Sequence, residues 1–147
     1  MQAVLQRDTA AEVRLCRALR AAGLRFRTDC RPEPNVRCKA DIVFRREKVC
    51  IFIDGCFWHR CSTHFHLPKT NSAWWDEKVQ ATVDRDRRQT RLLRRNGWTV
   101  MRVWEHELTQ AKMPSVVTRV RQKLRRSNRR CGPDASRVSG SPSRRKR

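Results

Sequence analysis

Two aspartates and a histidine are the first residues in this sequence whose types and spacing could do chemistry. Asp41 begins a short apolar run, and Asp54 follows a second one, with the charged residues 45–48 between them. This pattern predicts an antiparallel hairpin, in which the start of the first strand lies beside the end of the second. Two carboxylates at one sheet edge, close to His59, could bind Mg²⁺ against a phosphodiester. The alternative is that both acids are ordinary strand-end residues.

A second group of residues has the types and spacing of zinc ligands. Cys56, Cys61 and His64 lie close together in the sequence, and thiolates with imidazoles bind Zn²⁺ tetrahedrally. The fourth ligand could be His106, just after the last predicted strand, or His66. Residues 55–71 form a long irregular segment, which favours a metal that holds it in place. The alternative is that the two cysteines are unrelated thiols.

Aromatic side chains lie in and beside the same irregular segment. They are Phe57, Trp58, Trp74 and Trp75. Exposed aromatic rings on a basic surface can stack on bases or wedge between them. The alternative is a place in the core, which is the role we expect for Trp98 and Trp104 because they lie on an alternating strand.

The charge of the chain indicates the class of partner. Its 147 residues include 35 Lys and Arg against 14 Asp and Glu, a net charge of +21, so a polyanion such as nucleic acid is the first partner to expect. The sequence has neither a transmembrane run nor a signal peptide, and we expect a soluble, cytoplasmic protein without membrane partners. Seven cysteines, an odd number, argue against a disulfide framework.

Hydrophobic periodicity predicts an α/β domain in residues 1–126. We expect helices near residues 9–22, 72–96 and 115–126, a hairpin of residues 41–44 and 49–53, a strand at residues 98–104 and a loop at residues 31–39. Strands flanked by helices indicate a three-layer arrangement. Residues 127–147 hold seven Lys and Arg and few apolar side chains, so we expect a basic, disordered tail.

Several stretches of the chain, between about residues 7 and 108, together resemble the very-short-patch repair (Vsr) DNA mismatch endonucleases. They are DIVF at 41–44, IDGCFWH at 53–59, PKTN at 68–71, WDEK at 75–78, DRDRR at 84–88 and GWTVMRVWEH at 97–106. The resemblance implies a restriction-endonuclease-like fold with a mixed β-sheet. It also implies Mg²⁺-dependent nicking of double-stranded DNA, 5′ of the T in a T·G mismatch left by deamination of 5-methylcytosine. A nucleoid-associated monomer that works with other mismatch-repair proteins would fit such an enzyme.

The resemblance further implies roles for individual residues. Asp41 and the backbone carbonyl of Ile53 match the magnesium ligands, and His59 matches the catalytic histidine. Glu12 matches an acid that positions metal-bound water, and Asp54 takes a position beside the scissile phosphate. The implied zinc ligands are Cys56, Cys61, His64 and His106. The residues implied to contact DNA are Phe57, Trp58, Trp75, Lys78, Arg85, Arg87 and Arg88.

Two other functions compete with a mismatch nickase. One is a zinc-stapled DNA-binding module without catalysis, and the other is a Vsr-related nickase without mismatch preference. Asp41 and Glu12 favour an enzyme, because carboxylates that face a polyanion bring nothing to a module that only binds it.

Overall fold

The structure, a computed structural model, describes residues 10–130, which contain three α-helices, four strands and one short 3-10 helix. In chain order they form α1 (Ala10–Ala21), β1 (Arg27–Cys30), β2 (Ala40–Phe44), β3 (Val49–Asp54), α2 (Ser72–Arg95), β4 (Thr99–Trp104), a short 3-10 helix (Glu105–Glu107) and α3 (Met113–Arg130). The predicted α/β class is confirmed. None of the helices in this part of the chain is both long and apolar enough to cross a membrane.

The four strands form one mixed sheet in the order β1-β2-β3-β4. Strands β2 and β3 pair antiparallel, with Ile42 opposite Ile51, so the predicted hairpin is confirmed. Strands β3 and β4 pair parallel, and the last residue of each, Asp54 and Trp104, lie opposite one another. The segments that leave β3 and β4 therefore start side by side at the same edge of the sheet.

Helices cover both faces of the sheet. On one face, α1 and α3 pack together over side chains such as Leu15, Ile51 and Val120. On the other face, α2 packs against β4, and its Leu93 joins a second apolar cluster with Trp98. Because β3 is covered on both sides, nearly all of its residues are buried, as the continuous apolar run predicts. A mixed sheet thus lies between helices.

Helix α2 begins and ends close to the predicted residues, whereas the ends of other elements differ from the prediction. Helix α2 ends at Arg95, and Gly97 follows with φ +84°, a left-handed conformation that favours glycine. Trp98 is buried, but Trp104 is only half-buried. Thr9, where the first helix is predicted to begin, lies outside the described residues.

Two features differ from the prediction. Strand β1 was not predicted, because it is an edge strand whose first three residues are exposed and show no alternation. Helix α3 continues to Arg130, beyond the predicted end at residue 126. Its Ser127 is buried and donates a hydrogen bond to the carbonyl of Glu47, so the predicted tail cannot begin before residue 131. Residues 131–147 of that tail lie outside the described residues.

Candidate active site and metal-binding cluster

The start of β2 and the end of β3 bring Asp41 beside the backbone of Ile53. The Ile53 N–H donates a hydrogen bond of 2.7 Å to Asp41 Oδ2. Burial raises the pKa of Asp41, the hydrogen bond from Ile53 opposes this rise, and the nearby Asp54 carboxylate adds to it. A half-buried carboxylate with a second one nearby is an environment that a divalent cation would stabilise.

Asp54, the last residue of β3, forms a buried ion pair with Arg102 of β4. Asp54 is only 5% exposed, and Arg102 Nη1 lies 2.8 Å from Asp54 Oδ1. The same guanidinium donates a 3.2 Å hydrogen bond to Thr90 Oγ1 and lies 4.8 Å from the ring centre of Phe52. Burial raises the pKa of Asp54, although Arg102 and His59 act in the opposite direction. Arg102 therefore neutralises an acid that would otherwise be costly to bury.

His59 is held by a second aspartate, on α2. Its Nδ1 lies 2.6 Å from Asp86 Oδ2 and 3.7 Å from Asp54 Oδ1. Burial raises the pKa of Asp86, but the contact with His59 and the charge of Arg102 outweigh it and lower the pKa overall. An ionised carboxylate this close to Nδ1 favours the tautomer with a proton on Nδ1, which leaves Nε2 of the ring to exchange a proton with water. This is the geometry of a general base with its orienting carboxylate.

The sequence did not single out Asp86 or Arg102 for a role. Asp86 lies inside the DRDRR stretch, where charged residues are ordinary on a helix surface. Arg102 occupies an alternating position of β4 that predicts only which side of the sheet it faces. The available signal for Arg102 was a charged side chain on an otherwise apolar strand, because such a side chain needs a polar partner when it is buried.

The predicted Glu12 and His59 line different cavities. Glu12 is buried on α1 and lines a cavity of about 300 Å³ together with Arg17 and Thr28. Asp54 and His59, by contrast, line two larger cavities next to α2, of about 610 and 360 Å³. The role of Glu12 stays a prediction.

A cluster of two cysteines and two histidines joins the segments that follow β3 and β4. One donor atom from each of Cys56, Cys61, His64 and His106 falls within 4.8 Å of the others. Cys56 Sγ lies 3.2 Å from His106 Nδ1, and Cys61 Sγ lies 3.6 Å from His64 Nδ1 and 3.7 Å from His106 Nδ1.

These separations fit four ligands around one metal ion. A tetrahedral ion with ordinary metal–sulfur and metal–nitrogen bonds of roughly 2.3 and 2.05 Å would place S and N about 3.6 Å apart. The cluster contains His106 and not His66, and the parallel pairing of β3 with β4 is what brings His106 to it. We refer to these four residues as the Cys/His cluster.

The predicted DNA-contacting aromatics, Phe57, Trp58 and Trp75, form one group with Trp74 outside the two apolar core clusters. Within this aromatic group Phe57 and Trp75 are half-buried. Phe57 lies 5.3 Å from Trp58 and 5.6 Å from Trp75 between ring centres, and Trp74 lies 4.8 Å from Trp75. Trp58 is 47% and Trp74 52% exposed. The rings pack edge-to-face, and the exposed faces of Trp58 and Trp74 on a basic protein suit contact with bases.

The basic residues predicted to contact DNA all belong to α2, but they face different sides. Lys78 Nζ lies 5.5 Å from the ring centre of Trp74. Arg85 and Arg87 line the two cavities around His59, one each. Arg88 lies in a separate groove of α2 with Arg95. Two of the predicted arginines are therefore next to the candidate general base.

Comparisons with known proteins place the chain in one family. The family model described as DNA mismatch endonuclease Vsr matches residues 1–64. The Type II nicking enzyme V.NaeI of Lentzea aerocolonigenes is 44% identical over 119 residues, 80% of this chain and 72% of that protein. DNA mismatch endonuclease Vsr of Escherichia coli K12 is 40% identical over 106 residues, 71% and 66% of the two chains. The Type II nicking enzyme V.XorIIP of Xanthomonas oryzae pv. oryzae is 34% identical over 110 residues, 74% and 79%.

Proposed function

The chain belongs to the Vsr family of DNA endonucleases, and from this membership we propose that it repairs T·G mismatches left by deamination of 5-methylcytosine. It would do so by hydrolysing one phosphodiester on the 5′ side of the T. The observation that carries the proposal is the contact between His59 and Asp86 at the sheet edge where Asp41 and Asp54 lie.

His59 is the proposed general base. Asp86 holds Nδ1 of the ring, so that Nε2 can take a proton from the water that attacks the phosphorus. Arg102 opposes the rise that burial causes in the pKa of Asp54 and holds the carboxylate beside the imidazole, 3.7 Å from Nδ1. The two aspartates thus favour the imidazolium that forms when the water is deprotonated.

Asp41 and the backbone carbonyl of Ile53 are the proposed ligands for Mg²⁺. One carboxylate oxygen of Asp41 accepts the Ile53 N–H, which leaves the other oxygen to face a cation. When bound there, Mg²⁺ would polarise a phosphoryl oxygen and the attacking water. We propose that Glu12 helps to position that water.

Zn²⁺ is the metal that we propose for the Cys/His cluster. Two thiolates and two imidazoles at near-tetrahedral separations are a donor set that zinc favours over Mg²⁺, which prefers oxygen ligands. The ion would fix the segment that carries Phe57 and Trp58. Fixing this segment matters because a flexible wedge would lose binding energy to the ordering of the loop.

The aromatic group is the proposed reader of the mismatch. Prying base pairs apart costs a few kcal/mol per step, and the cost is least where pairing is already weak, as at T·G. Phe57, Trp58 and Trp75 would enter the stack there, while Lys78 and the arginines of α2 neutralise phosphates. A single nick needs one active site, so we propose that the enzyme acts as a monomer, with other mismatch-repair proteins as further partners.

A second candidate function is a nickase of the same family without mismatch preference. It is favoured by one observation, that relatives at 44% and 34% identity are named Type II nicking enzymes. The catalytic roles proposed for Asp41, His59 and Asp86 would be the same. Only the substrate that the aromatic group accepts would differ.

A nicking assay separates these functions. The protein is incubated with Mg²⁺ and with duplexes that carry T·G, C·G or T·A at one position in an otherwise identical sequence. We expect a single nick in the T strand of the T·G duplex, and none with Asp41→Ala, which should still bind DNA. Equal cutting of all three duplexes would favour the nickase without mismatch preference. Cutting of none would favour the DNA-binding module without catalysis.

A further inference from the structure

Three arginines of α2 follow one another along the cavity that contains His59. Arg87, Arg91 and Arg94, which we call the arginine row, are spaced by four and three residues and so project from one side of the helix. All three are exposed, and all three line the cavity of about 610 Å³ together with Asp54 and His59. Of the row, only Arg87 was predicted from the sequence to contact DNA.

The acids of this cavity are already engaged by other groups. Asp54 is paired with Arg102, and Asp86 lies against His59. Among residues 10–130, no carboxylate forms an ion pair with any member of the arginine row. Three positive charges therefore border the cavity, and no carboxylate within residues 10–130 pairs with them.

We propose that Arg91 and Arg94 extend the active site along the DNA by binding phosphodiester groups of the nicked strand that flank the one cleaved. This inference rests on the proposed endonuclease function. Guanidinium groups match phosphates well, because two parallel N–H donors can meet two oxygens of one phosphate. The residues would act in binding the substrate and not in the chemical step.

The length of the arginine row suits this role. Seven residues of helix rise about 10 Å from Arg87 to Arg94. Phosphates of one strand follow one another at about 3.4 Å of rise along the duplex axis, so the row could serve two or three of them. A surface that only kept the protein soluble would not need to point its arginines into the cavity beside the general base.

A matched pair of double variants tests the inference. The double variant Arg91→Gln with Arg94→Gln removes the proposed phosphate contacts. The control, Arg125→Gln with Arg126→Gln, removes the same charge from α3, on the opposite face of the sheet. Affinity for the T·G duplex is measured by fluorescence anisotropy without divalent metal, over a series of salt concentrations. The plot of log affinity against log salt should lose about 1.8 units of slope in the first variant, since each phosphate contact contributes about 0.9. The control should change it much less.

Single-turnover nicking provides a second readout. In the Arg91, Arg94 variant the half-saturating protein concentration should rise about tenfold, while the rate at saturation stays close to the wild-type value. A loss confined to the saturating rate would contradict a binding role. Equal weakening by the α3 variant would also overturn the inference, because the effect would then come from net charge alone.

Uncharged phosphates locate the contacts. Duplexes with one methylphosphonate at a time, near the nick, should bind wild-type protein more weakly at two or three neighbouring positions. At those positions the Arg91, Arg94 variant should show no additional loss. If wild-type protein binds these duplexes as tightly as the unmodified one, the inference is wrong even though nicking persists. If wild-type protein binds but never nicks, the endonuclease proposal fails, and the methylphosphonate scan still tells whether the row holds phosphates.

Discussion

Replacing Arg102 with Met should destabilise the protein through Asp54. In the wild type the guanidinium lies 2.8 Å from the Asp54 carboxylate, donates to Thr90 and lies over the ring of Phe52. Met keeps much of the apolar stem and its packing but removes the charge. Asp54, only 5% exposed, is then left as a buried carboxylate without its partner.

The size of this effect follows from the burial of the pair. Removing one partner of a buried ion pair costs about 3–5 kcal/mol, and the Arg102 side chain is 26% exposed, which favours the lower end. We therefore expect a loss of about 3 kcal/mol in the free energy of unfolding. At roughly 3 °C per kcal/mol for a domain of this size, the melting temperature should fall by about 10 °C.

Denaturation in urea, followed by tryptophan fluorescence, measures this loss. The double variant Arg102→Met with Asp54→Asn provides the decisive comparison, because a neutral amide is cheaper to bury than an unpaired carboxylate. It should be more stable than Arg102→Met alone by at least about 1 kcal/mol. Arg125→Met, at an exposed position of α3, is the control and should change stability by less than about 0.5 kcal/mol.

Additivity would refute this reasoning. If the destabilisation of the double variant equals that of Arg102→Met plus that of Asp54→Asn, the two residues are not coupled and the pair contributes nothing specific. A loss below about 1 kcal/mol for Arg102→Met would lead to the same conclusion, since water would then be screening the carboxylate well.

Three further predictions concern the site itself. Cys61→Ser should release one equivalent of zinc, measured with a colorimetric chelator, and lower the melting temperature. The control His66→Ala, which replaces a histidine outside the Cys/His cluster, should do neither. Retention of the metal by the serine variant would contradict the assignment. Asp86→Asn should lower the nicking rate at saturating DNA by roughly 100-fold with little change in affinity, because His59 loses the carboxylate that orients it; a change in affinity alone would argue for a role in DNA contact. Trp58→Ala should weaken binding to a T·G duplex by about 1–3 kcal/mol and to the T·A duplex by less, as judged by anisotropy; equal losses on both would mean that the ring does not read the mismatch.

Local sequence signals predicted the elements that form from neighbouring residues. The hairpin of β2 and β3 follows from two apolar runs around a charged turn, and α2 ends where Gly97 provides a left-handed cap. The Cys/His cluster was also predictable in part, because Cys56, Cys61 and His64 lie close in the sequence. The choice of His106 required either the family resemblance or the parallel register of β3 and β4.

Contacts between distant residues could not be predicted in this way. Arg102 and Asp54 are 48 residues apart, and Ser127 bonds to Glu47 across 80 residues, so no local pattern links either pair. Strand β1 is exposed and lacks an apolar alternation, because it is held mainly by its hydrogen bonds to β2. Long-range pairing decided each of these features.

Because β3 and β4 are parallel, the Cys/His cluster joins the segments that follow them. An ion bound there would therefore close a loop from residue 56 to residue 106. The cluster ties residue 56 to residue 106, and the whole of α2 lies inside the loop that it closes. A tie across about 50 residues restricts the unfolded chain as a disulfide would, by roughly 4 kcal/mol. A protease cut within α2, or new chain ends placed there, would therefore leave two pieces still fastened together through the ion. Unlike a disulfide, this cross-link would be removed by a chelator and would form again when the metal is added back.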